Sequence, residues 1–220
     1  FAKIEQNYIK KEGNLLPDNL SEYAYERHML DEDSIYKLFK DFKYVIPQGS
    51  IMSQLGAKSI GSLSNCFVIG QPDDSYGGIF QKDEEMAQLM KRRGGVGIDI
   101  SSLRPQGVAT SNAAKSSTGA ISFMHRFSNT TREVAQNGRR GALMISININ
   151  HPDVLEFIKI KRDLSQVTGA NISIKLTSEF MKAVENDEDY ILRFPCDLDL
   201  SKFTKEYVTA NYNELHYIED

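Results

Sequence analysis

The sequence predicts an α/β fold in which a helical segment precedes a parallel sheet with helices packed on it. Three stretches of residues 1–46 repeat apolar residues near the 3.6-residue helical period: FAKIEQNYIKK, SEYAYERHML and DSIYKLFKDF. After Pro47-Gln48-Gly49, short apolar runs alternate with amphipathic segments, the pattern of parallel strands joined by crossover helices. We therefore predict an N-terminal helical domain over 1–46 and an α/β domain over 47–220.

Strands and helices alternate through the second predicted domain. The predicted strands are NCFVIG, GVGIDIS, ALMISINI and GANISIKL, and the predicted helices are IFQKDEEMAQLMKRR, SFMHRFSNTTREVAQ, PDVLEFIKIKR and SEFMKAVEN. An irregular segment from Arg104 to Thr118 separates the second strand from its helix. Loops of this length inside a compact α/β unit are usually functional, so this segment is a candidate binding loop.

Composition excludes several classes of function. The chain of 220 residues carries 26 basic and 30 acidic side chains, a net charge of −4, which gives no electrostatic footprint for nucleic acid. No apolar run approaches the roughly 20 residues that span a bilayer, and two cysteines without a disulfide framework indicate a reducing, cytoplasmic setting. The four histidines lack metal-binding spacing, so no metal site is predicted.

The opening at Phe1 and the ending ELHYIED indicate a fragment, or a processed or split chain.

Two glycine-containing stretches leave alternatives open. RRGGVGID runs from helix to glycines to strand, the reverse of the dinucleotide-binding fingerprint, so dinucleotide binding is excluded there. By itself it favours a glycine C-cap over a close approach of a substrate ring or ribose to the backbone. AQNGRRGAL offers an arginine pair that could fork onto phosphate or read a base edge, although an exposed turn is slightly favoured.

Two further stretches are ambiguous on their residues alone. In DDSYGGIF, Asp74 and Ser75 precede a helix and favour simple capping, with anion binding at the helix start as the alternative; SSTGA offers a second such start. Cys66 sits in the apolar run CFVI, which favours a buried core thiol over a redox thiol.

The order of these stretches changes their interpretation. From about Pro47 to Phe194 the chain resembles the catalytic subunit of ribonucleotide reductase, most closely the vitamin-B12-dependent (class II) enzymes and related class I enzymes. GGVGIDISSLRPQG and NGRRGALM, at their separation here, are the most specific part of the resemblance. It implies an N-terminal helical domain followed by the first half of an α/β barrel, a parallel half-sheet with outer helices that is incomplete in this chain.

The resemblance also implies an activity, the replacement of a ribonucleotide 2′-hydroxyl by hydrogen through a thiyl radical and a redox-active cysteine pair. Cys66 matches the first cysteine of that pair, and Ser50, Asn65 and Gly95 match substrate-contacting positions. Many relatives have serine where this chain has Asn65. The second redox cysteine and the radical cysteine are expected beyond the end of this chain, so this fragment alone should be inactive, and Cys196 is given no role.

Effector-binding residues follow from the same resemblance. Asp74, Ser75 and Tyr76 match the helix start that binds an allosteric deoxynucleotide, and Arg104 matches a phosphate-binding arginine that opens the first specificity loop. Gln136 and Arg140 match the second specificity loop, which links the effector to the substrate base.

Cofactor and partners are likewise implied by the resemblance. They are adenosylcobalamin if the enzyme is class II, or a radical-generating metal-containing small subunit if it is class I, with neither bound directly by this segment. Further expected partners are a ribonucleotide substrate, deoxynucleotide or ATP effectors, the remaining C-terminal part of the enzyme, a thioredoxin- or glutaredoxin-type reductant and a second copy in a homodimer. Neither nucleic acid nor membrane is expected as a partner. The alternative function is a nucleotide-binding regulatory module without catalysis.

Overall fold

The computed structural model describes residues 2, 3, 7, 31–136, 139–197 and 199, with only the backbone described at 135–136 and 139–140. The chain forms two compact units, residues 1–65 and 66–220. The sequence placed its division after residue 46, and the assignment of 1–46 and 47–220 to two domains stays a prediction. Most of the first predicted helix and all of the second lie outside the described residues.

The first unit contains the third predicted helix, which is confirmed as α1, Glu32–Phe39. Asp31 caps it, because its carboxylate accepts the backbone N–H of Ser34 at 2.7 Å. A 3₁₀ turn, Lys40–Phe42, follows, and then a short helix α2, Gly49–Gln54.

The second unit is built on a four-stranded sheet, and all four predicted strands are confirmed. The strands are β1 (Cys66–Val68), β2 (Gly95–Asp99), β5 (Leu143–Asn148) and β6 (Asn171–Lys175). Their order is β1-β2-β5-β6 and every pairing is parallel, as the strand–helix alternation predicted. Two short strands, β3 (Ala135–Gln136) and β4 (Arg139–Arg140), pair antiparallel apart from this sheet.

Helices follow the strands as predicted: α3 (Tyr76–Met90), α4 (Ala120–Glu133), α5 (Val154–Lys159) and α6 (Ser178–Asn186). Several helix ends differ from the predicted ones by two or three residues. The end of α4 has an identifiable cause, because α4 stops at Glu133 and the next residues enter β3. The Asn137-Gly138 dipeptide is typical of a two-residue hairpin, so pairing of β3 with β4 competes there with helix continuation. None of the described helices is long and apolar enough to cross a membrane.

Helices cover one face of the sheet. Alternate residues of β2 and β5 point into the core, among them Val96, Ile98, Ile145 and Ile147, each at most 4% exposed. They pack against apolar side chains of the helices, including Met86, Met124, Phe127 and Phe157.

The opposite face carries no helix from the described part of the second unit. Cys66, Val68, Met144, Asn171 and Ser173 point to it and are exposed, Val68 to 92%. Because purely parallel sheets are normally covered on both faces, this uncovered face is a candidate binding surface.

Candidate functional site

Cys66 lies at the start of β1 with its side chain exposed on the uncovered face. The interpretation as a buried core thiol is therefore wrong. The apolar run CFVI gave no sign of this, because the helices bury only alternate residues of the strand and Cys66 falls on the other side.

A cleft of about 520 Å³ opens beside Cys66. Its lining includes Gly95, Gly97, Gly141, Met144 and Asn171. Cys66 and Gly95 are direct partners in the parallel register of β1 and β2, so the thiol and this glycine stand side by side at the same end of the sheet. With no side chain on Gly95 or Gly97, the strand backbone is open to a close approach next to the thiol.

The glycine C-cap predicted for RRGGVGID has a different form. The left-handed residue after α3 is Arg93, with φ of 72°, and the N–H of Gly94 donates to the carbonyl oxygen of Leu89 at 3.1 Å. Gly94 is required for a packing reason, since a Cβ there would lie 2.6 Å from the ring of Phe67. The cap and the open backbone at Gly95 therefore occur together, on successive residues.

Cys196, the second cysteine, lies far from Cys66. It is buried, and its thiol donates to the carbonyl oxygen of Ser101 at 3.6 Å, just beyond the end of β2, whereas Cys66 is paired with the first residue of β2. Six residues of extended chain separate those points, about 20 Å at ~3.3 Å per residue. A disulfide tolerates no more than about 7 Å between Cα atoms, so these two cysteines cannot pair in this fold.

The two thiols should differ sharply in reactivity. Burial, followed by the nearby charge of Asp99, raises the pKa of Cys196 to about 12, so almost none of it is thiolate near neutrality. With iodoacetamide at about pH 8, mass spectrometry of the folded protein is expected to find Cys66 alkylated and Cys196 intact. In urea both should react, which is the control. Equal alkylation of Cys196 in the folded protein would contradict its placement.

Ser50 and Asn65, two predicted substrate contacts, lie together in the first unit. The side-chain oxygen of Asn65 accepts the backbone N–H of Ser50 at 3.1 Å, and its amide nitrogen donates to Gln48. Asn65 therefore fixes the first turn of α2, and Ser50 is 7% exposed. Their roles as substrate contacts stay predictions.

Four predicted effector residues line one pocket of about 250 Å³: Asp74, Ser75, Tyr76 and Arg104. Ser75 caps α3 by accepting the N–H of Gly78 at 3.0 Å, so the capping interpretation is confirmed for Ser75. Asp74 has a different partner, because its carboxylate accepts from the Nε of Arg104 at 2.6 Å and from the backbone N–H of Arg104 at 3.1 Å.

The two terminal nitrogens of the Arg104 guanidinium make only weak hydrogen bonds. They lie 3.4 and 3.5 Å from the carbonyl oxygens of Ala109 and Asp74, the outer limit of hydrogen bonding. An anion could therefore take these donors while the Nε bond to Asp74 persists. The pocket thus offers a carboxylate acceptor and a guanidinium donor side by side.

Most of the remaining pocket lining comes from the loop that follows Arg104 and from α4. Its polar lining includes Thr110, Asn112, Ser117 and Thr118, and the ring of Phe123 closes one side. An edge-to-face contact joins Phe123 to Tyr76, with ring centroids 6.2 Å apart. The sequence marked this loop as functional without naming its hydroxyl residues, although the density of Ser and Thr in 110–118 is the signal that could have indicated them.

Gln136 and Arg140 lie on the β3–β4 pair, with Gln136 opposite Arg139 and Ala135 opposite Arg140. Gly141, which follows directly, lines the cleft beside Cys66, and its N–H donates to the carbonyl oxygen of Thr131 near the end of α4 at 3.3 Å. The hairpin thus connects the end of α4 to the cleft. The roles of Gln136 and Arg140 themselves stay predictions.

Residues 64–218 match the family described as ribonucleotide reductase, barrel domain. A vitamin B12-dependent ribonucleoside-diphosphate reductase of Thermoplasma acidophilum is 37% identical over 148 residues, 66% of this chain and 19% of that protein. The ribonucleoside-diphosphate reductase large subunit of Variola virus is 27% identical over 208 residues, 89% of this chain and 27% of that protein.

A solved structure shares the fold. The class Id ribonucleotide reductase alpha subunit of Actinobacillus ureae superposes with a TM-score of 0.65 at 18% identity, over 85% of this chain and 31% of that chain. The chain thus spans about a fifth to a third of the length of the proteins it matches. The family match covers most of the chain, including the whole four-stranded sheet and its helices. The protein therefore belongs to the ribonucleotide reductase family, and its sequence is part of the large subunit and includes barrel-domain sequence.

Proposed function

We propose that the protein reduces ribonucleotides to deoxyribonucleotides, with Cys66 as one of two thiols that supply the electrons. The observation that carries this proposal is the exposed thiol of Cys66 beside Gly95, in a cleft on the uncovered face of the sheet. A thiol in an open cleft can reach a ligand, which a core thiol cannot. The missing side chain at Gly95 leaves room for a ribose against the backbone.

The reaction balances with a second thiol. The C2′–O bond of the ribose breaks, a C2′–H bond forms, and the hydroxyl leaves as water. Two thiols lose two electrons and two protons and become a disulfide. Cys66 is one of them, and since Cys196 is too distant, the other is a cysteine outside these 220 residues. A dithiol reductant of the thioredoxin or glutaredoxin type then restores the pair.

Effector control is the second part of the proposal. The pocket containing Asp74 and Arg104 accepts a deoxynucleoside triphosphate, with Arg104 toward the phosphates and Asp74 accepting a ribose hydroxyl. Phe123, which lines this pocket, lies on α4, and the far end of α4 leads into the β3–β4 hairpin beside the cleft. A helix of 14 residues is about 21 Å long, so α4 provides a direct physical link between the two sites.

We also infer a homodimer formed through α3 and α4. These helices contact each other, and α3 exposes Tyr76 and Phe80, which stack at 6.1 Å. Arg126 of α4 lies over the ring of Phe80, 4.5 Å from its centroid, and pairs with Asp83 at 2.7 Å. Aromatic and arginine side chains are enriched in interfaces, which supports this surface as the contact.

The source of the radical distinguishes the class of enzyme. Relatives named vitamin B12-dependent favour adenosylcobalamin, whereas those named large subunits favour a separate radical-generating subunit. The cleft itself presents the sulfur atoms of Cys66 and Met144 and no imidazole or carboxylate in its lining. This lining does not fit an iron site, which needs imidazole or carboxylate ligands from the protein. Adenosylcobalamin carries its own cobalt ligands, so the lining does not test it, and no step is assigned to either group in this part of the protein.

An activity assay of the full-length protein tests the proposal. With cytidine diphosphate or triphosphate, dithiothreitol and adenosylcobalamin, we expect deoxycytidine nucleotide by chromatography if the enzyme is class II. For class I, the product requires the radical-generating small subunit in place of the cobalamin. If neither arrangement yields product while dTTP still binds, the protein is a nucleotide-binding module and the reductase proposal fails.

A further inference from the structure

We infer that Asp153, oriented by His151, is a positioning residue that fixes the base of the loop Arg104–Thr118 and so sets the affinity of the Asp74–Arg104 pocket for its ligand. The ligand's identity rests on the proposed function, but the contacts do not. Neither Asp153 nor His151 lines the pocket. Both lie in the segment between β5 and α5, so they act on the pocket through the loop.

Asp153 occupies the N-cap position of α5 without capping that helix. Its carboxylate accepts instead the backbone N–H of Gln106 at 3.1 and 3.2 Å, and that of Ala120 at 3.0 Å. Gln106 lies near the start of the loop, and Ala120 begins α4 one residue after Gly119, which follows the loop. One carboxylate, 8% exposed, therefore holds both ends of the loop together.

The fit around this carboxylate is close. Gly119, between the loop and α4, has φ of 83°, and a Cβ there would lie 2.8 Å from the carboxylate of Asp153 and 2.9 Å from Gln106. Gly119 has no side chain that could cap α4, and Asp153 accepts the N–H of Ala120, one of the free backbone donors in the first turn of that helix. The negative charge also suits the positive end of α4.

His151 holds the same arrangement from the other side. It is fully buried, its Nδ1 accepts the backbone N–H of Asp153 at 3.0 Å, and its Nε2 lies 2.8 Å from the carbonyl oxygen of Leu103. Only the neutral tautomer protonated at Nε2 satisfies both contacts, because Nδ1 must accept while Nε2 donates. Burial lowers the pKa of His151, which favours that neutral form. Leu103 immediately precedes Arg104, so His151 fixes the chain where it enters the loop.

The loop beyond this base is held mainly by its own backbone. Gly107 donates to the carbonyl oxygen of Ser117 at 3.0 Å, and Ser117 to that of Val108 at 2.7 Å. The two sides of the loop thus pair near the base, and the more distant residues Thr110 and Asn112 reach the pocket. A shift at Gln106 or Ala120 would therefore move the pocket lining as a unit.

The test uses Asp153→Asn in the full-length protein, with Asp163→Asn as the matched control. Asp163 is an exposed carboxylate whose hydrogen bonds, among the residues that the structure describes, come from its own turn, from Ser165 and Gln166. In Asp153→Asn, the dTTP concentration for half-maximal stimulation is expected to rise about tenfold, with turnover at saturating dTTP unchanged. Hydrogen exchange of the amides of Gln106 and Ala120 should become faster. The control should change neither quantity.

Gly119→Ala provides a second variant, because its methyl group would push against the same carboxylate. It should loosen the loop in the same exchange measurement. Unchanged dTTP affinity together with unchanged exchange in both variants would overturn the inference. So would a loss of turnover at saturating dTTP with faster exchange throughout the sheet, which would indicate general destabilisation. If the wild type fails to bind dTTP, the effector assignment in the proposed function fails, and the exchange data still decide whether Asp153 holds the loop.

Discussion

Cys66→Ser in the full-length protein is expected to abolish repeated turnover of a ribonucleotide when a dithiol is the reductant, by at least about 10³-fold in kcat. A serine hydroxyl cannot form a disulfide, so the two electrons that the substrate requires have no source at this position. The Cys66 side chain is exposed on the uncovered sheet face, so replacing its sulfur atom by oxygen should leave the fold intact. The measurement is deoxynucleotide formed per enzyme over many cycles.

Cys196→Ser is the matched control, since it also removes one thiol. Cys196 lies at the other end of β2 and its hydrogen bond to the carbonyl oxygen of Ser101 can be kept by a hydroxyl. We expect this variant to retain turnover. Sustained turnover by Cys66→Ser would show that the electrons enter elsewhere. Loss of turnover in Cys196→Ser alone would show that Cys196, and not Cys66, is the redox thiol.

The sheet and its helices could be predicted because local pattern and tertiary packing agree. Strands such as ALMISINI carry apolar residues on the face that the helices bury, and helices such as the one containing Met86 and Met90 bury one side. Where two local preferences compete, the prediction failed at the boundary. The end of α4 is the example, because a helical period continues to Gln136 while the Asn-Gly turn draws Ala135 and Gln136 into β3.

The exposure of Cys66 could not be predicted from its own strand. Cys66, Phe67, Val68 and Ile69 are all apolar, so the run carries no alternation that would mark one face as open. Val68 is 92% exposed and Ile69 is 7% exposed, a difference that only the position of the helices decides. The family resemblance predicts a redox role for Cys66, and the structure shows that its thiol is exposed.

In the Asp74–Arg104 pocket, the residues could be predicted but the contacts between them could not. Asp74 and Arg104 were each singled out by resemblance, but their mutual ion pair joins residues 30 apart in sequence and has no local signature. Asp153 is a stronger case, because a carboxylate before a helix is read as a cap of that helix and here it accepts from Gln106 and Ala120. Long-range acceptors of this kind depend on the packing of loops against a finished sheet.

Asp74→Asn is expected to weaken dTTP binding to the full-length protein by about tenfold or more. In wild type the carboxylate can accept a ribose hydroxyl and also orients Arg104 through bonds to its Nε and its backbone N–H. The variant loses half of this acceptor capacity, which weakens dTTP binding. It also removes one negative charge from an anion site, which favours binding of a triphosphate. Both side chains are about a third exposed, so solvent screens that electrostatic gain and the lost hydrogen bonds should outweigh it.

Titration calorimetry with two ligands separates these effects. Asp73→Asn is the matched control, because Asp73 is exposed, adjacent in sequence and absent from the pocket lining, and it should bind dTTP as the wild type does. Tripolyphosphate carries the charge without a ribose, so Asp74→Asn should bind it at least as tightly as the wild type. Arg104→Ala should weaken both ligands. Tighter dTTP binding by Asp74→Asn would mean that the carboxylate restrains Arg104 and accepts nothing from the ribose.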